Sequence, residues 1–224
     1  MKVLGIDESG RGPVCGPMTM CGYLIDAENV HMLKDMGAKD SKLLTEKKRS
    51  ALAPKLKKLA DDFIVLKISA QEIDKLRTVS NLNALEIDRM QHLINLFNPD
   101  KVVIDSPEVN TSNFSKKVMS KVKNKETILI AENFADRNHP EVSAASILAK
   151  VERDSEIKKL HKRHGFFGSG YAADEITVAF LKAWIKRNKE FPNFVRKSWF
   201  TAQWIKEESE QMSISKFIGT KTGI

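Results

Sequence analysis

Two aspartates each end a short apolar segment that is typical of a β-strand. The segment KVLGIDE at 2–8 contains Asp7, and the segment KVVID at 101–105 ends on Asp105. In open α/β sheets, the ligand crevice lies at the carboxyl ends of the strands, where the strand order reverses. If the two strands are parallel neighbours, their aspartates meet at that edge. The pattern therefore predicts a site built on paired carboxylates.

Two further acids extend this set. Glu8 follows Asp7 directly, and successive strand residues point to opposite faces, so both reach one site only if the strand ends or bends there. Gly10 and Gly12, just downstream, permit such a bend. Asp136 precedes a predicted long helix, where capping of the helix N-terminus is the alternative role for a carboxylate.

A cluster of carboxylates suits a hard cation such as Mg²⁺ or Mn²⁺. Two such ions on shared carboxylates activate a water and stabilise the leaving oxygen in the in-line cleavage of a phosphodiester. A formal net charge of +8 agrees with a polyanionic substrate, although a generally lysine-rich surface also explains it.

The predicted elements form one α/β domain with a helical C-terminal extension. Predicted strands cover 2–8, 14–25, 63–69, 101–105 and 126–133, and predicted helices cover 42–60, 81–97, 140–164, 175–189 and 202–211. We assign 1–200 to the catalytic domain and 201–224 to a C-terminal tail.

Composition excludes several other classes of protein. The sequence has no run of 18 apolar residues, and its first residues lack the features of a signal peptide, so we expect a cytoplasmic protein that does not bind membranes. Its two cysteines, Cys15 and Cys21, lie in an apolar stretch and provide neither a disulfide framework nor a zinc site. We expect both thiols to be buried.

The run Asp7-Glu8-Ser9-Gly10-Arg11-Gly12-Pro13 resembles the signature of the type 2 ribonucleases H, ribonuclease HII, in its archaeal form. Further blocks resemble the family in the same order: Asp40-Ser41-Lys42, Asn81-Leu82-Asn83, Ile104-Asp105-Ser106-Pro107, Ala135-Asp136, VSAASILAKVERD at 142–154, GSGY at 168–171 and VRKSW at 195–199. Because the signature begins at residue 7, we expect type HII and not the related type HIII, which has an extra N-terminal domain. The resemblance implies an RNase H-like fold with a central mixed five-stranded sheet flanked by helices.

The resemblance also implies roles for individual residues. The metal ligands and catalytic acids of the family correspond to Asp7, Glu8, Asp105 and Asp136, with Mg²⁺ or Mn²⁺ as the cofactor. Gly10, Arg11 and Gly12 match a segment that reads the ribose 2′-hydroxyl through backbone atoms. Tyr171 matches a tyrosine that packs on the following sugar, unless it is an ordinary loop tyrosine.

Other matching positions contact phosphates in the family. They are Lys42, Ser143, Ser146 and Lys150. The last three share one helix face by their spacing. Without the resemblance, the two serines would be interpreted as packing residues. Arg196 and Lys197 match a basic element that binds the duplex backbone, or else form a solvated charge run. Phe134 departs from the family, which more often has a basic residue there.

The C-terminus carries a separate signal. Gln211, Ile214, Phe217 and Ile218 fit the spacing of peptides that bind sliding clamps such as PCNA, with Ile218 in place of the second aromatic residue. A nonspecific tail is the alternative.

The family resemblance implies an endoribonuclease that cuts RNA/DNA hybrids and DNA containing ribonucleotides by two-metal-ion catalysis. It further implies a monomer that removes primers and misincorporated ribonucleotides. Two alternatives remain open: a resolvase-like nuclease that cuts structured DNA, and a noncatalytic module that binds nucleic acid or a clamp, in which the acids only cap helices and pair with lysines.

Overall fold

The structure is a computed structural model that describes residues 1–38 and 43–219, with side chains through residue 211. The chain divides into two compact units. The first comprises Met1–Arg11, Met18–Ile68 and Ser80–Ser155, and the second comprises Gly12–Pro17, Ser69–Val79 and the chain from Glu156 onward.

The first unit contains a five-stranded sheet. Its strands are β1 Lys2–Ser9, β2 Met18–Asp26, β3 Asp62–Ile68, β4 Lys101–Asp105 and β5 Ile128–Glu132. Their spatial order is β3-β2-β1-β4-β5. The first three strands pair antiparallel, whereas β1 with β4 and β4 with β5 pair parallel. This confirms the mixed five-stranded sheet that the family resemblance implies.

The helices along the chain are α1 Val30–Asp35, α2 Glu46–Leu59, α3 Ala70–Arg77, α4 Leu82–Phe97, α5 Thr111–Met119, α6 Ala135–Asn138, α7 Pro140–His164, α8 Glu175–Asn188 and α9 Phe200–Gly219. Their ends follow local sequence signals. The Asn81 side chain caps the first turn of α4, and Asn98 ends that helix in the left-handed conformation, which asparagine tolerates well.

Helices cover both faces of the sheet. On one face, the alanine-rich start of α7 and the helices α1 and α2 pack on residues of β2 such as Tyr23 and Ile25. On the other face, α4 and α5 pack on Leu4 and Ile6 of β1 and on their neighbours in β4. Gly5 of β1 lies directly beneath the backbone of α7 at Glu141, where a β-carbon would clash. The missing side chain lets α7 approach the central strand.

The second unit has its own apolar core, built from α8, α9, the end of α7 and the loop between Phe191 and Val195. The segment Gly12–Pro17 joins this core through backbone hydrogen bonds from the amides of Val14 and Cys15 to the carbonyl of Gly170, at 2.8 and 3.1 Å. Cys15, here, and Cys21, in the first unit, are both buried and outside any disulfide, and their burial was predicted.

Most predicted elements have different bounds in the structure, and the second strand and the last helix are two examples. The strand predicted over 14–25 begins only at Met18, because residues 12–17 hydrogen-bond within the second unit. The short helix predicted over 202–211 extends to Gly219. No helix within the described ranges combines the length and apolar character required to cross a bilayer.

Candidate active site

Asp7 and Asp105 are neighbours at the ends of two adjacent parallel strands. Ile6 of β1 lies opposite Ile104 of β4, so the next residue on each strand is one of the two aspartates. Asp7 is 5% exposed and, by strand alternation, shares a face with Val3 and Gly5, which pack against α7. The strand pairing thus brings the two predicted carboxylates together.

The environment of Asp7 disfavours its charged form. Burial raises the pKa of the Asp7 carboxyl well above its usual range, and the nearby charges of Glu8 and Asp105 raise it further. Hydrogen bonds from the Ser146 side chain and from the Glu8 amide, the latter 2.7 Å long, act in the opposite direction. Three acids from two strands therefore share one electrostatic environment.

The fourth acid reaches this region through the start of α6. The backbone amide of Ala135 donates a 3.0 Å hydrogen bond to Oδ1 of Asp105, and Asp136, the next residue, is 3% exposed. Phe134 is the N-cap residue of α6, and Asp136 lies in the first turn of that helix, four residues before α7 begins at Pro140. Phe134 has a φ of 61°, and the guanidinium of Arg137 lies 4.6 Å from the centre of its ring.

In the described part of the chain, no group of three or more Asp, Glu, Cys or His side chains is arranged so that it could hold a metal ion. Mg²⁺ usually binds through one or two carboxylates together with phosphate oxygens of the substrate, so a site of this kind does not require such a group. The donors at Asp7, Glu8, Asp105 and Asp136 are all carboxylate oxygens, which hard cations prefer. A cation would also relieve the repulsion that raises the pKa of Asp7.

The residues after β1 form a tight and well-anchored turn. Gly10 is buried with a φ of 83°, a conformation that a residue with a side chain rarely adopts. The side chain of Arg11 forms an ion pair with Glu86 of α4, and its Nη2 donates a 2.6 Å hydrogen bond to Oδ1 of Asn83. The Arg11 guanidinium is therefore held by two side chains of α4.

The predicted phosphate-binding residues of the first unit are not free surface groups. Ser143 and Ser146 of α7 are 1% and 5% exposed, and the Ser146 side chain hydrogen-bonds Asp7. Lys150, one turn further along, forms a 2.7 Å ion pair with Asp154. Lys42 lies outside the described residues.

In the second unit, Gly12 and Tyr171 are close neighbours. A β-carbon at Gly12 would lie 3.7 Å from Cε1 of Tyr171, whose side chain is exposed. The indole Nε1 of Trp199 donates a 3.0 Å hydrogen bond to the carbonyl of Gly12, and the guanidinium of Arg77 lies 4.7 Å from its ring. Tyr171 thus has an exposed ring beside a fixed glycine.

The two basic residues of the VRKSW block, Arg196 and Lys197, differ in their exposure to solvent. Arg196 is fully buried, and its Nε donates a 3.2 Å hydrogen bond to the carbonyl of Gly16. Lys197 is exposed, and its Nζ lies 3.6 Å from a carboxylate oxygen of Glu190. A duplex contact predicted for both residues is therefore directly available only to Lys197, because Arg196 would first have to become exposed.

The predicted clamp-binding residues lie at the end of α9. Gln211 is exposed. Ile214, Phe217 and Ile218 are on the helix, but their side chains lie outside the described part of the structure.

Comparison with known proteins identifies the family. The family model described as Ribonuclease HII matches residues 4–202, most of the chain. This chain belongs to the ribonuclease HII family. A ribonuclease HII from Methanothrix thermoacetophila is 41% identical over 210 residues, which are 93% of this chain and 99% of that protein.

Solved structures of ribonuclease HII share the fold. The ribonuclease H2 from Pyrococcus horikoshii OT3 is 41% identical, with a TM-score of 0.89 over 94% of this chain and 99% of that one. The ribonuclease HII in a PCNA:RNase HII complex from Archaeoglobus fulgidus is 35% identical, with a TM-score of 0.81 over 89% of this chain and 95% of that one. The chain is thus a ribonuclease H hydrolase with an RNase H-like fold, which sets aside the resolvase-like and noncatalytic alternatives.

Sequence reasoning missed two residues that anchor the ribonuclease HII signature in this chain. Glu86 lies on the apolar face of α4, four positions after Leu82 and four before Met90. A single acid among apolar residues at helical spacing was the sequence feature that could have indicated a buried carboxylate. Trp199 belongs to the VRKSW block that matches the family. Nothing in the spacing of the sequence indicates that its indole binds Gly12.

Proposed function

We propose that this ribonuclease HII hydrolyses the RNA strand of RNA/DNA hybrids and incises DNA on the 5′ side of embedded ribonucleotides. A water oxygen attacks the phosphorus as the bond to the 3′-oxygen breaks, so the products carry 3′-hydroxyl and 5′-phosphate ends. The observation that carries the proposal is the pairing of Asp7 and Asp105 on adjacent parallel strands, in a family of ribonucleases. This activity fits a role in removing primers and misincorporated ribonucleotides.

We assign Asp7, Glu8, Asp105 and Asp136 as the acids that hold Mg²⁺ or Mn²⁺ and perform catalysis. When two such ions are bound, they supply Lewis acidity that activates the water and stabilises the leaving oxygen. The hydroxyl of Ser146 orients the Asp7 carboxylate, and the amide of Ala135 orients that of Asp105. These contacts fix the carboxylates before substrate arrives, which lowers the reorganisation required during the reaction.

Recognition of the ribose is assigned to backbone atoms of Gly10, Arg11 and Gly12. The positive φ of Gly10 and the anchored side chain of Arg11 support this role, because both leave the main chain as the exposed polar group. Tyr171 packs on the following sugar, and its exposed ring supports that assignment. A sugar without a 2′-hydroxyl at that second position packs closest to such a ring.

Phosphate contacts are assigned to Lys42, Ser143, Ser146, Lys150 and Lys197, with Arg196 as a further candidate. Lys150 would exchange Asp154 for a phosphate oxygen, since an ion pair that is partly exposed costs little to break. The buried Arg196 supports the carbonyl of Gly16 in this structure, so its part in duplex binding is the weakest of the set.

The experiment that tests this function uses end-labelled duplex DNA with a single ribonucleotide, alongside an all-DNA duplex. We expect the native chain to cut the first duplex 5′ of the ribonucleotide with Mg²⁺ or Mn²⁺, and to leave it intact with EDTA. Asp105→Asn should lose this activity by several orders of magnitude, whereas Asp88→Asn, which alters an exposed acid on α4, should retain it. Cleavage of the all-DNA duplex, or full activity of Asp105→Asn, would contradict the proposal.

Binding of the cation has a readout that does not depend on turnover. Calorimetric titration of Mn²⁺ into the native chain should give a clear binding isotherm, which Asp7→Asn weakens strongly. Equal affinity in both proteins would exclude Asp7 as a ligand.

We also propose that Gln211, Ile214, Phe217 and Ile218 bind a sliding clamp. The spacing of these residues supports this, as does the PCNA complex of the related protein from Archaeoglobus fulgidus. Surface plasmon resonance should detect binding of the native chain to immobilised archaeal PCNA. The double variant with Phe217→Ala and Ile218→Ala should not bind. Cleavage of the ribonucleotide duplex without PCNA should be unchanged in that variant. We further propose a cytoplasmic monomer.

A further inference from the structure

A fully buried carboxylate lies beside the turn at Gly10 and Arg11, and it is not one of the four acids assigned to metal binding. Glu86 of α4 is completely inaccessible to solvent, and its Oε2 forms an ion pair with Nη1 of Arg11. Its other oxygen, Oε1, is buried without a hydrogen-bond partner. Burying a charged group in this way costs free energy that an apolar side chain on the same helix face would not cost. Such a residue calls for a functional explanation.

Glu86 acts on Arg11 together with a second residue of the same helix. Asn83, three positions earlier, accepts a 2.6 Å hydrogen bond from Nη2 of Arg11. Asn83 is itself held by a 3.0 Å hydrogen bond from its Nδ2 to Oε1 of Glu108, and Lys117 neutralises that carboxylate at 3.0 Å. The two nitrogens of the Arg11 fork therefore have separate acceptors, which fixes the plane of the guanidinium as well as its position.

The anchored guanidinium restricts the backbone next to it. Gly10 precedes Arg11 and has a φ of 83°, and Ser9, before that glycine, is still paired with Thr19 in the sheet. The peptide groups around Gly10 are thus fixed by the sheet on one side and by α4 on the other. Without the contacts of the Arg11 guanidinium with α4, Gly10 would have the wide conformational freedom of a glycine.

We propose that Glu86 is a positioning residue that acts through Arg11 to orient the backbone at Gly10, and thereby sets the preference of this site for ribose over deoxyribose. The inference deepens the proposed function, since it depends on the assignment of ribose recognition to this turn. A charged acceptor suits this role because a charge-assisted hydrogen bond holds a guanidinium that is still one-third exposed more firmly than a neutral acceptor does.

Binding without cleavage tests this directly. Fluorescence anisotropy in EDTA gives the Kd for a duplex with one ribonucleotide and for the all-DNA duplex of the same sequence, and their ratio measures the ribose preference. We expect the native chain to prefer the ribonucleotide and Glu86→Gln to reduce that ratio about tenfold, mainly by weakening the ribonucleotide complex. Glu126→Gln, which changes an exposed glutamate in the same unit, should keep the native ratio.

A double-mutant cycle separates positioning from general loss of structure. With Arg11→Ala in place, Glu86→Gln should have no further effect on the ratio, because the residue through which it acts is gone. Asn83→Ala should reduce the ratio several-fold in the same direction, and it provides the test if Glu86→Gln does not fold. Circular dichroism and the Kd for all-DNA duplex show whether each variant keeps the native fold.

Three outcomes overturn the inference. They are an unchanged ratio in folded Glu86→Gln, an equal weakening of both duplexes, and additive effects of the Arg11 and Glu86 substitutions. Failure of the proposed function gives a different result, since a native chain that prefers ribonucleotide duplex in EDTA but cuts nothing with Mg²⁺ contradicts only the catalytic assignment.

Discussion

The backbone amide of Ala135 binds Oδ1 of Asp105 at 3.0 Å, which ties the first turn of α6 to the end of β4. Asp136 is the residue after Ala135, so the separation of these two acids is set by the main chain and not by side-chain packing alone. Phe134, just before, has a φ of 61°, in the left-handed region. An aromatic residue rarely adopts that conformation, and such backbone strain is often found at functional sites.

Removing the charge of Asp7 should stabilise the metal-free protein while it abolishes activity. The raised pKa of Asp7 means that the folded chain resists ionisation of this group, and Asp7→Asn removes the repulsion from Glu8 and Asp105. We expect the melting temperature in EDTA to rise by a few degrees near pH 8. The gain should shrink as the pH falls toward the raised pKa, because native Asp7 is then protonated. A lower melting temperature for Asp7→Asn at pH 8 would contradict this explanation.

Gly5→Ala should destabilise the first unit strongly. The added methyl group would meet the backbone of Glu141 and Val142 at the start of α7, and backbone cannot move aside as a side chain can. Overpacking of this kind costs about 1–3 kcal/mol, measured as a shift in urea unfolding. Gly22→Ala in β2 is the matched control, since its methyl group would lie 3.0 Å from a ring carbon of Phe97, which can rotate. Equal effects of the two substitutions would show that close approach of α7 is not the cause.

Trp199→Phe should weaken substrate binding more than it slows catalysis. The substitution keeps an aromatic ring beside Arg77 but removes the donor to the carbonyl of Gly12. A hydrogen bond of this type contributes about 1 kcal/mol, so we expect KM for the ribonucleotide duplex to rise about fivefold with little change in kcat. Trp204→Phe, at an exposed tryptophan of α9, should leave both constants near the native values. An unchanged KM in Trp199→Phe would remove Trp199 from the binding machinery.

The stability of the loop that contains Ser169 should depend on pH, because Asp174 accepts hydrogen bonds from that residue. Hydrogen bonds from the amide and hydroxyl of Ser169, together with the amide of Ile176, lower the pKa of Asp174 to about 2. A lowered pKa contributes stability that is present above the ordinary carboxyl pKa of 3.8 and is lost as the pH falls to about 2. The native melting temperature should therefore fall more steeply between pH 4 and pH 2 than that of Asp174→Asn. Parallel curves would show that this carboxylate adds nothing to stability.

The arrangement of Asp7 and Asp105 was predictable from sequence because it depends on strand periodicity and on parallel pairing alone. Each aspartate ends a short apolar segment, and the sheet order places those segments side by side. The position of Asp136 was predictable only in part. Its sequence context also fits a helix cap, and no local pattern shows that Ala135, the residue before it, binds Asp105.

Other features depend on contacts between distant parts of the chain and were not predictable from local patterns. The segment Gly12–Pro17 reads as the start of a strand, yet its amides bind Gly170 and the carbonyl of Phe194. Arg196 reads as part of a charged surface, yet it is buried against the carbonyl of Gly16. In both cases the deciding partner lies more than 150 residues away, outside the reach of helical or strand periodicity.

The strand order has a consequence for the time course of folding. β1, β2 and β3 pair as consecutive antiparallel neighbours, whereas β1 meets β4 only after the intervening chain has closed a loop of more than 90 residues. Closing long loops costs entropy that local pairing avoids, so the antiparallel part of the sheet is expected to form first. Asp7 is therefore expected to lie on an already formed antiparallel sheet before β4 and α6 pack beside it. A chain emerging from the ribosome accordingly acquires its complete set of acids only after residue 136 has been synthesised and released from the exit tunnel.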